Sequence, residues 1–265
     1  MIGWLVYSPE GYALNRWFAD RLLECAVAEG MALELKLLHG GDRLPPAPPP
    51  DFAVMRTIRP DLSAQLEACG VRVFNNAETA RVANDKLETF RLARELDLPV
   101  LDTVDFTWPE RPSVAYPCVV KTLDGHGGSE VFFVRGDREM EEAVRQTGKR
   151  TFLAQPLCDE PGVDMRVYVL GGEVLAAVQR TSRTDFRSNF KLGGDVAAVT
   201  PSPEPCAMAR RLFDRLGFDF AGVDFIRHGE RWVLNEIEDV VGTRMLYATT
   251  NLDAARLLVG LVANR

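Results

Sequence analysis

Three carboxylates near the end of the chain, Asp224, Glu236 and Glu238, have the spacing to meet on one strand face. Glu236 and Glu238 lie two residues apart and share a face, with Asn235 and Ile237 pointing the other way. Residues 222–226 and 231–237 flank Arg227-His228-Gly229-Glu230 as hairpin arms, which sets Asp224 across from that pair. At about 4 Å and an effective dielectric of about 20, each like-charge pair costs about 4 kcal/mol, so the group needs a counterion. Oxygen-only donors suit Mg2+ or Mn2+. A solvated acidic edge strand has the same spacing.

Cationic and glycine-rich segments precede these acids. Lys86 opens a predicted helix, and Lys121 ends a predicted strand just before Thr122-Leu123-Asp124-Gly125-His126-Gly127-Gly128-Ser129. Gly125, Gly127 and Gly128 let backbone N–H groups approach a phosphate closely, although a plain flexible hairpin turn reads alike. The run lacks Gly-Lys-Ser/Thr and leads into a strand, so it is neither a Walker loop nor G-x-G-x-x-G. His126 is either a supporting residue there or a polar tip, and His39, His126 and His228 have no zinc spacing. Arg166, Arg180 and Arg187, the last followed by Ser188 and Asn189, carry the planar fork that recognises phosphate and carboxylate. Ordinary surface charge also supplies arginines at this density, but Phe186 and Gly193-Gly194 beside them suggest a shaped loop. No Ser/His/Asp or Cys/His nucleophile is evident.

Alternating α and β patterns position these groups. Residues 1–7 read as a strand, Asn15 as the cap of a helix carrying Phe18, Leu22 and Cys25 and ending at Gly30, and Leu33, Leu35 and Leu37 as a half-buried strand. With strands at 52–55 and 71–74 they predict a small α/β lobe over residues 1–75. Leu44-Pro45-Pro46-Ala47-Pro48-Pro49-Pro50 is a stiff spacer, or an SH3-type docking segment. Over residues 76–154, Asn84 or Asp85 caps a helix bearing Leu87, Phe90, Ala93 and Leu96, and 118–121 pairs with 131–134 across the glycine turn. Residues 155–265 hold two hairpins, one turning at Gly171-Gly172, and a helical stripe of Met208, Leu212 and Leu216 stopped by Gly217.

Composition narrows the function. The 265 residues are 46% hydrophobic and 26% charged with net charge −7, an ordinary globular balance without a basic run, which speaks against nucleic acid as a partner. No stretch approaches about 18 uncharged apolar residues, so no membrane span is expected. Cys25, Cys69, Cys118, Cys158 and Cys206 form no C-x-x-C, and Met1–Ser8 lacks a secretory start; reduced thiols and a cytoplasmic protein are expected. Nothing fixes an oligomeric state.

The order of Asn84-Asp85-Lys86, Val119-Val120-Lys121 with its glycine loop, Gln155, Asp164-Met165-Arg166, Arg180, Asp185–Asn189 with Gly193-Gly194, Gly222-Val223-Asp224 and Glu236-x-Glu238 resembles the ATP-grasp ligases. It is most similar to their RimK-like branch, which includes ribosomal-protein glutamate ligases and lysine-biosynthesis amino-group ligases. The resemblance runs from about Asn75 to the end, and implies an α/β (α+β) ATP-grasp fold: an N-terminal α/β subdomain and two α+β lobes clamping ATP. It implies that Lys86 and Lys121 contact the phosphates under a cover formed by Gly125 to Ser129. Gln155 to Leu157 lie beside adenine, and Asp164 contacts the nucleotide. Arg187, Ser188 and Asn189 hold its phosphate end. Arg180 and Arg166 face the transferred groups, and Asp224, Glu236 and Glu238 ligate two Mg2+ ions. The implied reaction joins a carboxylic acid to an amine, amino acids among them, through an acyl phosphate. A nucleotide-binding regulator and a small-molecule kinase are the alternatives. Two positions depart from the family: Glu238 replaces an asparagine, and Pro156 an acidic residue after the hinge glutamine. Thr243–Tyr247 also differs from the glutamate-ligase pattern, and Arg56, Arg244 and Tyr247 are the candidates for substrate specificity.

Overall fold

A computed structural model describes residues 1–43, 48–125, 127–188 and 194–264 as an α/β protein built on three sheets. His126, Asn189, Gly193 and part of the proline run lie outside the described residues.

β1 (Ile2–Tyr7) leads into α1 (Pro9–Ala28), which starts before the expected Asn15 cap. The Ser8 hydroxyl accepts from the Gly11 amide at 3.0 Å, and Pro9 occupies the first turn, where a missing N–H costs nothing. Asn15 marks a kink instead: its backbone leaves helical geometry (φ −123°, ψ 23°) while its Nδ2 donates to the Gly11 carbonyl at 2.9 Å. β2 (Ala32–Leu37), β3 (Phe52–Met55), α2 (Pro60–Ala68) and β4 (Arg72–Phe74) complete a parallel sheet in the order β2-β1-β3-β4. Alternation along β1 sends Leu5 and Tyr7 towards Phe18 and Leu22 of α1, and Trp4 and Val6 towards Leu62 and Leu66 of α2.

α3 (Ala77–Ala83) and α4 (Lys86–Glu95) follow. The Asp85 carboxylate accepts from the Leu87 and Glu88 amides, which fixes Lys86 at the helix start. These helices, assigned by sequence to the central lobe, bury Val82, Ala83, Leu92 and Ala93 in the core of the C-terminal lobe.

The central sheet is antiparallel, ordered β5-β8-β6-β7, from β5 (Val104–Thr107), β6 (Cys118–Thr122), β7 (Val131–Val134) and, after α5 (Asp137–Thr147), β8 (Thr151–Gln155). Cys118, Val120, Phe152 and Ala154 pack with Met140 and Val144 of α5, so the alternate residues Val119, Lys121 and Gln155 face the opposite side.

β9 (Val163–Leu170), β10 (Glu173–Thr181), β11 (Asp195–Val199), α6 (Pro203–Leu216), β12 (Phe220–His228) and β13 (Arg231–Glu238) build the third sheet, ordered β11-β10-β9-β12-β13. Gly171 and Gly172 turn β9 into β10 with φ of +58° and +94°, a conformation only glycine adopts cheaply at both central positions. The β12–β13 turn is tighter than the expected four residues: His228 pairs with Arg231, leaving Gly229-Glu230. Met165, Val167, Val223 and Phe225 face Met208 and Leu212 of α6, and Asp164, Arg166, Arg180 and Asp224 alternate onto the other face. α7 (Arg244–Thr249) and α8 (Ala254–Ala263) close the described chain, and Leu258 and Val262 of α8 join the core of α1. No described helix is long and apolar enough to cross a membrane, and all five cysteines are free thiols.

Candidate active site

The inner faces of the central and C-terminal sheets meet in one cleft. Lys86, Lys121, Gln155, Asp164, Arg180, Asp224 and Glu236 all line it, although their sequence positions span most of the chain. Lys86 Nζ lies 3.7 Å from Glu236 Oε1, and Lys121 Nζ donates to Asn235 Oδ1 at 2.8 Å across the gap between the sheets. Gly125, Gly127, Gly128, Leu157, Arg187, Ser188 and Glu238 complete the lining from the predicted set. Ser129 faces a neighbouring groove instead, Arg166 lies one step further in, and Asn189 is outside the described residues.

The carboxylates do not converge as expected. Among the described residues no three His, Cys, Asp or Glu side chains are grouped to hold a metal ion. The required counterions are arginines. Arg166 grips Asp224 with Nε and Nη2 at 2.7 Å each, and also holds both oxygens of Glu238. Arg180 donates to Asp164 from Nε at 2.5 Å and from Nη2 at 2.7 Å, and to Asp224 at 2.6 Å. Neighbouring strands create these pairs: Asp224 stands in register with Arg166, and Arg180 with Asp164. Gly222 leaves room for the stem of Arg166, since a Cβ there would fall 2.7 Å from Val241 Cγ2 and 3.0 Å from Arg166 Cδ. Burial alone would raise Asp224, but the two guanidiniums overcome it and hold the carboxyl at about 2.

A bulge between Asp224 and Phe225 inserts Asn235 as an extra residue in β13. Strict alternation would point Asn235 away from Glu236. The bulge brings it into the cleft against Lys121 and still lets Leu234 and Ile237 reach the core. No sequence signal announces it. Cys158 and Phe186, also unassigned from sequence, line the cleft too.

Two predicted phosphate-binding cations hold the glycine turn. Lys86 Nζ donates to the Gly125 carbonyl, and Arg187 Nη1 to that of Gly128 at 2.9 Å, while Asp185 engages the rest of the Arg187 guanidinium. Gly162 seats the loop that carries Arg187. Its amide donates to Phe186 O at 2.8 Å, and Ser182 N donates back to Gly162 O at 2.7 Å. At φ +82° an added Cβ would lie 2.5 Å from Ser182 O. Gly162→Ala is therefore expected to displace this loop at a cost of about 1–2 kcal/mol. Calorimetric titration should show nucleotide-analogue affinity reduced about tenfold, with the melting temperature lowered by only a few degrees.

A second cavity of about 300 Å³ adjoins the cleft, sharing Gly127, Arg180, Glu236 and Glu238 with it. Of the three specificity candidates only Arg244 lines it. Arg56 is buried, donating to the Val241 carbonyl and lying over the Phe18 ring; Tyr247 donates to Asp253 and packs on Trp17. Both are structural. Asp239, which accepts from Asn84, is pushed up to about 6 by burial.

Glu236 is the open acid. It accepts no hydrogen bond among the described residues, and burial raises its carboxyl despite the pull of Lys86. A half-buried carboxylate with no donor of its own, beside Glu238 on the same strand, fits a hard divalent cation.

Residues 88–262 match the RimK-like ATP-grasp domain family. The probable alpha-L-glutamate ligase of Parasynechococcus marenigrum (strain WH8102) is 30% identical over 290 residues, 97% of this chain and 60% of that protein. The chain thus spans about 60% of that relative's length. The ribosomal protein bS6–L-glutamate ligase of Salmonella paratyphi B is 29% identical over 208 residues, 74% of this chain and 68% of that one. The D-alanine–D-alanine ligase from Bacillus anthracis, in complex with ATP, superposes with a TM-score of 0.76 over 99% of this chain and 96% of that one at 13% identity, a likeness of fold.

Proposed function

Because the chain belongs to the RimK-like ATP-grasp family, we propose that it is an ATP-dependent, ADP-forming ligase joining a carboxylic acid to an amine. The observation that carries this reading is the single cleft in which Lys86 and Lys121 face Glu236 and Asp224. Such a cleft suits a triphosphate, whose transfer chemistry asks chiefly for positioning and charge neutralisation.

In this reading Lys121 and Lys86 bind phosphate oxygens, and Gln155, whose Oε1 is buried without a partner among the described residues, faces the base. Glu236 would hold Mg2+, for which Mn2+ is a chemical substitute, while Arg166 engages both oxygens of Glu238; the ion would neutralise phosphate charge when bound. A second ion needs the oxygens of Asp224, which Arg166 and Arg180 hold. The cleft encloses about 100 Å³, well below the roughly 300 Å³ at which ligand sites begin. Nucleotide entry therefore lifts the glycine turn, and Lys86 and Arg187 exchange its carbonyls for phosphate oxygens. Arg180 orients the acid: its Nη1 donates to no described residue, and the side chain borders both cavities. The carboxylate attacks the γ-phosphorus as ADP leaves, and the amine nitrogen then displaces phosphate, losing a proton as the amide forms. The acid and amine are small molecules or peptide termini, as the amino-acid and protein substrates named for the relatives suggest.

Turnover of an acid labelled with 18O in its carboxylate tests the reading. One labelled oxygen should appear in the released phosphate, and only when acid and amine are both present. A stable phosphorylated product would make the protein a kinase. Nucleotide binding without ADP formation would make it a regulator.

A further inference from the structure

We propose that the acid substrate has an apolar body seated in the second cavity, with Leu14, Ile58 and Met245 as specificity-determining residues; this rests on the ligase reading above. The reacting carboxylate belongs at the junction of the two cavities, beside Arg180 Nη1, which donates to none of the described residues. The rest of the molecule then extends away from the nucleotide, and its chemistry must match the outer wall.

That wall is apolar. Met245 is buried at its floor, whereas Leu14 and Ile58 are 63% and 38% exposed. Trp17, one turn on from Leu14 in α1, is a further 40% exposed. The kink at Asn15 bends α1 at this edge, and Asn15 itself borders the cavity. Covering such wetted side chains is favourable for an apolar group and unproductive for a charged one.

The charged groups argue the same way. Arg166 is clamped between Asp224 and Glu238, so it has little to offer a second carboxylate. Glu238 and Asp239 on the inner wall present acceptor oxygens and no cationic donor. Arg244 is turned back to the Leu14 carbonyl. An acidic side chain would have to draw Arg244 off that carbonyl while lying against Leu14 and Ile58.

Hydroxylamine makes the test independent of the natural amine. Its nitrogen displaces phosphate from an acyl phosphate, giving a hydroxamate, inorganic phosphate and a proton. The full chain is incubated with ATP, Mg2+, hydroxylamine and glycine, leucine, phenylalanine or glutamate, and hydroxamate is measured. The expected kcat/KM for leucine and phenylalanine exceeds that for glycine and glutamate by about tenfold or more. Leu14→Glu and Ile58→Glu, both at exposed positions and checked for an unchanged melting curve, should collapse the leucine-to-glycine ratio towards one. A preference for glutamate, or a ratio that neither substitution moves, overturns the inference and leaves the ligase reading standing. No hydroxamate from any of the four acids overturns both.

Discussion

Lys121→Met is expected to lower ATP turnover by about 10²–10³-fold, the scale of losing one preorganised charge at a reacting oxygen, without lowering the melting temperature. The two readouts separate a binding role from a structural one. Burial drives the Lys121 ammonium down to about 8, with Lys86 adding to the drop and Glu236 opposing it. Holding that charge costs folding energy, and methionine keeps the apolar stem without it. Phosphate beside Lys121 favours its charged form and raises its pKa again. The free protein has largely lost this proton by about pH 9, so nucleotide binding there should take up close to one proton, whereas at pH 6 it should take up almost none. Titrations in buffers of different ionisation enthalpy measure the uptake, and affinity should fall as pH rises through 8. A melting temperature that dropped with turnover would make Lys121 a structural residue.

Asp224→Ala is expected to destabilise the protein by about 3–5 kcal/mol, because it strands the buried guanidiniums of Arg166 and Arg180 without their shared partner. Against a total stability of about 5–15 kcal/mol this is a large fraction, and it corresponds to a melting temperature lower by about 10 °C or more. Asp224→Asn keeps the shape and some hydrogen bonds, so its loss should be smaller. The pH dependence has a definite sign. The folded-state carboxyl, at about 2, lies below its ordinary value of 3.8, so its contribution is complete above about pH 4 and fades as pH falls through 2. The gap between parent and variant should therefore be flat above pH 4 and narrow below it. An alanine variant as stable as its parent would mean that the arginines find other partners.

Local chemistry made much of the fold legible. The Leu33 and Leu35 alternation, the Gly171-Gly172 turn and the Met208, Leu212 and Leu216 stripe each satisfy a short-range rule and sit where that rule puts them, whereas Leu37 at the strand end is exposed. The lysines, glycines and spaced acidic pair were legible as residue types, and the structure brings them to one cleft. What stayed hidden depends on distant partners. Arg166 is 58 residues from Asp224 and 72 from Glu238, and spacing cannot tell a metal ligand from an arginine's partner. The Asn235 bulge escapes the period-two pattern by inserting one residue, so the expected outward asparagine faces Lys121. The α1 start was misread because the Asn15 cap signal is genuine local chemistry, used within a kink after Ser8 and Pro9 had already begun the helix. The role of Arg56 could not be seen either, because the Val241 carbonyl it meets is 185 residues away.

A crystal structure with a non-hydrolysable ATP analogue and Mg2+ tests most directly whether one cleft serves both charge and chemistry. A triphosphate is expected against Lys86 and Lys121, with Mg2+ on Glu236, the Lys86–Gly125 and Arg187–Gly128 contacts broken, and the γ-phosphate at the mouth of the second cavity. A nucleotide bound elsewhere, or a γ-phosphate remote from Arg180 and Glu236, would contradict this reading.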